Sequence, residues 1–154
     1  MSNISNITSV ECLQKLKDNE NTYLVDVRTP EEFKNDGFSD LTSINKILHK
    51  ITIVNSDGSP NPNFLSEFSD LNLNKDSEIY FICRSGARSM RAAALVADLG
   101  YQNLYNVEDG FTLGWNLWGY HLVIQIRELS LLKFILMLNF QMLKNFTLIR
   151  SVFN

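Results

Sequence analysis

Residues 79 to 89 read IYFICRSGARS, and the fold turns on how this stretch divides. Ile79, Tyr80, Phe81 and Ile82 are β-branched or aromatic without polar alternation, as a strand covered on both faces of a parallel sheet reads. Cys83 follows at the strand's carboxyl end. From Ala87 the composition changes to ARSMRAAALVADLG, with Met90, Ala94 and Ala97 at helical spacing and Gly100 where a C′ glycine would end a helix. The cysteine therefore falls in a tight loop between a strand and a helix, the unit from which an α/β fold is built.

Backbone N–H groups in such a loop, with the positive end of the following helix, favour an anion, and a thiolate is one. Arg84 and Arg88 add positive charge on either side of a Ser-Gly turn. Cys83 is thus expected to act as a nucleophile. The plainer alternative is a small buried apolar side chain, the commonest fate of a lone cysteine. A core position, however, gains nothing from two neighbouring arginines.

CRSGARS at 83–89, with VDVRTPEEF at 25–33, resembles the rhodanese-like (sulfurtransferase) domain, and the resemblance runs over roughly residues 7 to 120. It implies a single α/β domain with a small, mostly parallel central sheet flanked by helices on both faces. It implies that Cys83 takes up a sulfane sulfur as a persulfide from thiosulfate or a persulfide donor and passes it to a thiol, cyanide or protein acceptor. Arg84, Ser85, Gly86, Ala87, Arg88 and Ser89 then form the cradle that binds the donor. No metal and no organic cofactor is implied. Cysteine phosphatases of similar architecture place five residues between cysteine and arginine, usually with histidine before the cysteine. Here four separate Cys83 from Arg88 and Ile82 precedes it, which favours sulfur over phosphorus. The alternatives are a non-catalytic sulfur-carrier or protein-interaction module of the same fold and, third, a phosphatase or arsenate reductase.

Tyr23 to Val27 reads as a buried strand broken only by Asp26, whose carboxylate must be paired or hydrogen-bonded. Arg28 or loop N–H groups could satisfy it. The resemblance places this Asp-x-Arg pair beside the active loop, so Asp26 and Arg28 are read first as supports for the loop and second as substrate contacts. Thr29, Pro30 and Glu32 form a capping box with proline at the first helical position, opening a short helix to about Asn35. Glu31 and Glu32 are read as dipole and cap residues.

The same capping logic in Thr8 and Glu11 opens a helix over about residues 9–18, with Val10, Leu13 and Leu16 on one face. Phe64, Leu65, Phe68 and Leu71 predict an amphipathic helix after the loop 55–63, and Leu104 to Val107 a further short strand. Two stretches depart from the family pattern. GFSDLTSINKILHKI, from Gly37, puts Phe38 where a histidine often stands, and a turn and short strand are expected from Gly37, Leu41 and Ile44 to Leu48. His49 is read as a surface or satisfied histidine. Glu108-Asp109-Gly110 stands where asparagine or leucine and two glycines are usual, and Trp115 is expected to be a core anchor.

With 154 residues, 45% of them hydrophobic and 20% charged, the chain suits one globular domain with a real core. A net charge of −3 gives no reason to expect nucleic acid as a partner. Cys12 and Cys83 fall in different elements, so no disulfide is expected and a reducing, cytoplasmic setting suits both. The opening MSNISNITS lacks the features of a secretory signal. The resemblance ends by residue 121. Residues 121–154 hold Arg127, Lys133, Lys144 and Arg150 against Glu128, and are expected to be an atypical, helical C-terminal extension. Leu131 to Leu143 is strongly apolar but too short to span a membrane. It is expected to pack on the domain, on a second copy in self-association, or on a membrane surface.

Overall fold

A computed structural model describes residues 4–116. The expected C-terminal extension, 121–154, lies outside the described residues. The chain runs β1 (Ser5–Ile7), α1 (Ser9–Asp18), β2 (Thr22–Asp26), α2 (Pro30–Asp36), a 3-10 turn (Thr42–Ile44), β3 (Leu48–Lys50), α3 (Phe64–Ser69), β4 (Glu78–Ile82), α4 (Ala87–Ala97), β5 (Leu104–Val107) and a π-helical turn (Gly110–Trp115). The strands form one sheet in the order β1-β5-β4-β2-β3, and every pairing is parallel. Parallel neighbours need crossover connections, and the helices supply them.

β4 is the central strand, and its side chains alternate between two apolar layers. Ile79, Phe81 and Cys83 face a cluster that contains Phe64 and Phe68 of α3 and Ala92, Ala93 and Val96 of α4. Tyr80 and Ile82 face Cys12 and Leu16 of α1, with Phe111 and the half-buried Trp115 beside them. Burial on both faces explains the apolar run without alternation. In α4 the small residues Ala92 and Ala93 let the helix approach the sheet closely.

Both capping boxes form in full. The Thr8 side chain accepts from the Glu11 amide while Glu11 accepts from the Thr8 amide, and Thr29 and Glu32 do the same. The strand expected across Ile44 to Leu48 lies later. Residues 42–44 make the 3-10 turn, Ile47 is exposed, and pairing with β2 starts at Leu48. It continues beyond β3 where the amides of Ile51 and Ile53 donate to the carbonyls of Asp26 and Val27. β2 recruits the residues that bury on its flank, and those are Ile51 and Ile53 rather than Ile47. His49 lies half-buried in β3, and burial lowers its pKa.

Connections from β2 and β4 leave in opposite directions along the sheet, toward β3 and β5. The carboxyl ends of these adjacent strands therefore frame the crevice where open parallel sheets place their ligands. Asp26 and Cys83 both stand there.

Candidate active site around Cys83

Cys83 follows the last residue of β4, and the Val27 amide donates to the Ile82 carbonyl at 2.9 Å, so the two strand ends are fixed to each other. The segment after β5 fixes the loop from the other side. Phe111 N–H donates to the Cys83 carbonyl at 2.8 Å and Thr112 N–H to the Arg84 carbonyl at 3.2 Å. Two glycines permit this closeness. Gly86 has φ 87°, and a Cβ there would stand 2.5 Å from the Glu108 carbonyl oxygen; at Gly110, φ 62°, a Cβ would strike the Arg84 carbonyl.

Gly86 also caps α4, and its carbonyl accepts the Met90 amide at 3.1 Å. Among the described residues, no backbone carbonyl takes the N–H groups of residues 84 to 89. These amides, at the positive end of an 11-residue helix, are available to an anion. Arg84, Ser85 and Ala87 are exposed on the loop, Arg88 is half-buried, and Gly86 and Ser89 are buried. The Cys83 side chain is buried too, at 1% exposure.

Ser89 Oγ lies 3.2 Å from Cys83 Sγ, 3.0 Å from the Gly86 carbonyl and 2.7 Å from Asn106 Oδ1. A hydroxyl has one proton, so it donates to one of these at a time. Asn106 is oriented as an acceptor because its amide nitrogen donates to Asn6 Oδ1 of β1 at 3.0 Å. Ser89 can thus accept from a Cys83 thiol while donating to Asn106, or turn its proton toward a thiolate.

Arg88 donates from both terminal nitrogens to Glu32, at 2.7 Å to Oε2 and 2.6 Å to Oε1. Burial acts to raise the Glu32 carboxyl, but Arg88 and the Thr29 amide outweigh it and bring it down to about 2. Arg88 is raised in turn, chiefly by its hydrogen bonds to Glu32.

Asp26 and Arg28 are 0% and 1% exposed. Arg28 Nε reaches both carboxylate oxygens at 3.0 and 3.1 Å, and Nη2 reaches Oδ2 at 2.8 Å. Nη2 also donates to the Gly37 carbonyl at 2.9 Å, while the guanidinium lies 3.7 Å over the Phe111 ring. Burial raises the Asp26 carboxyl, and the hydrogen bonds from Arg28 oppose that rise. The pair links the ends of β2 and α2 to Phe111, whose amide holds the Cys83 carbonyl. Neither side chain reaches the surface.

Two residues outside the expected set complete the support. Asn106 is a polar residue inside the apolar strand LYNV, and a buried polar side chain needs a partner; that was its sequence signal. Asp109 accepts from the Ser9 amide at 2.9 Å and the Ser9 hydroxyl at 2.8 Å, adding a carboxylate to the start of α1. Gly114 leaves room for that carboxylate.

A parallel α/β sheet with a cysteine loop between its central strand and a helix defines a class, and a family model for the rhodanese-like domain matches residues 9–116. The chain belongs to the rhodanese-like domain family. It is 42% identical over 109 residues to an uncharacterized protein of Rickettsia prowazekii, covering 70% of this chain and 84% of that protein. A sulfurtransferase of Allochromatium vinosum is 30% identical over 112 residues, 73% of this chain and 88% of that one. Among solved structures, a protein of M. tuberculosis shares 37% identity with a TM-score of 0.66, covering 71% of this chain and 81% of its own.

Proposed function

We propose that the protein is a sulfurtransferase that carries a sulfane sulfur as a persulfide on Cys83. The observation that supports this most directly is the Cys83 sulfur beside the Ser89 hydroxyl, at the start of a loop whose amides are open to an anion. In the first step the Cys83 thiolate attacks the outer sulfur of a donor. With thiosulfate, the Sγ–S bond forms, the S–S bond of the donor breaks, and its electron pair leaves with sulfite. In the second step a thiol, cyanide or protein acceptor attacks the outer sulfur, and Cys83 leaves as thiolate. Arg84 and the loop amides meet the donor's charge, Ser89 serves the sulfur, and the Asp26–Arg28 pair holds the loop's shape. Both cysteines are free, which suits a reducing cytoplasm. No helix among the described residues is long and apolar enough to cross a membrane.

The 1% exposure of Cys83 favours a second reading, a sulfur-carrying or partner-docking module without turnover. Thiosulfate-to-cyanide transfer, assayed for the wild type and Cys83→Ala, separates the two. The enzyme reading expects turnover that is abolished in the variant. Absence of transfer with thiosulfate and with persulfide donors overturns it.

A further inference from the structure

The cations around Cys83 are not equally free to meet a negatively charged donor. Arg88 gives both terminal nitrogens to Glu32, and Glu32 is itself fixed by the Thr29 amide at 2.9 Å. The charge of Arg28 is matched by Asp26 below the surface. Arg84 is exposed and forms no ion pair among the described residues. Two arginines, two carboxylates and a Cys83 thiolate leave one net negative charge, which Arg84 balances. A site so balanced gains little by admitting a dianion.

Resting on the sulfur-transfer reading above, we infer that Glu32 selects the donor. By taking up the charge of Arg88 it leaves Arg84 as the loop's unmatched cation among the described residues, and so turns the site toward a monoanionic hydropersulfide, R–S–S⁻, and away from the thiosulfate dianion. In that transfer the Cys83 thiolate attacks the outer sulfur and the Sγ–S bond forms. The R–S bond breaks with its electron pair leaving on RS⁻, and the outer sulfur keeps its negative charge as Cys83–S–S⁻. No oxidant or reductant is consumed. Glu32 touches no reacting atom and acts through Arg88.

The test compares rate constants for sulfur loading of Cys83 on the full chain from thiosulfate and from cysteine hydropersulfide, read by intact mass. Glu32→Gln keeps the capping box, which accepts glutamine, and frees the charge of Arg88. It is expected to shift the ratio of the two rate constants toward thiosulfate by at least about tenfold, the effect of one further unit charge on the donor at about 12 Å from Arg88 and an effective dielectric of about 20, and by more at shorter range. Arg84→Gln is expected to shift the ratio the other way, because a dianion loses more than a monoanion when a cation is removed. A merely structural role for Glu32 would slow both donors alike. An unchanged ratio in folded Glu32→Gln overturns the inference, and if that variant does not fold, an unchanged ratio in Arg84→Gln does so. Failure of both donors to load Cys83 removes the sulfur-transfer reading and this inference with it.

Discussion

Burial sets the terms for Asp26 and Arg28. A charge moved out of water costs several kcal/mol, and what offsets it here is a set of side-chain hydrogen bonds between the two groups. Removing one partner strands the other. Asp26→Ala is expected to lower stability by about 3–5 kcal/mol, measured by denaturant unfolding, because Arg28 would stay buried without its carboxylate. Glu32 illustrates a different balance, being nearer the surface and held down to about 2 from an ordinary 4.5. A carboxyl lowered in the folded state stabilises above its unfolded value and loses that contribution as pH falls from about 4.5 through about 2. Acid unfolding of Glu32→Gln should therefore show a shallower loss of stability across that window than the wild type. The capping role of Glu32 was legible because its partner is three residues away. Its ion pair with Arg88 was not, since 56 residues separate them and no local pattern links them.

The Cys83 loop is shaped by the elements on either side of it. β4 delivers Cys83, α4 starts at Gly86, and the turn after β5 clamps the carbonyls of Cys83 and Arg84. Gly110 is where that clamp is tightest. Gly110→Ala is expected to cost about 1–2 kcal/mol for its positive φ alone. Its Cβ would also push the Arg84 carbonyl out of place, so activity should fall further than stability accounts for. Paired measurement of transfer rate and unfolding midpoint checks this. In the sequence α1, β4, α4 and β5 each carry a strong local signal: a capping box, an apolar run or a helix spacing. β1 carries none, because its three residues are defined only by pairing with β5 about 100 positions later. β3 begins later than the apolar letters of Ile44 to Leu48 suggest, because those letters do not show which of them the sheet will bury. Asp109 holds Ser9 at a separation of 100 residues, so its role appears only in three dimensions.

At the scale of the whole molecule, strand order gathers residues that are far apart in the chain. Because β2 and β4 are neighbours with connections leaving in opposite directions, Asp26, Arg28, Glu32, Cys83 and Arg88 meet at one end of the sheet. The α/β class and the position of Cys83 were legible from the strand, loop and helix of residues 79 to 97. The charge balance of the site was not, because it depends on which arginine finds which carboxylate. Whether Cys83 carries sulfur is read by mass spectrometry of the protein after exposure to thiosulfate or cysteine hydropersulfide. A gain of one sulfur atom is expected, located on the peptide containing Cys83, removed by cyanide and absent in Cys83→Ala; an unmodified Cys83 after both donors would rule out a sulfur carrier at this position.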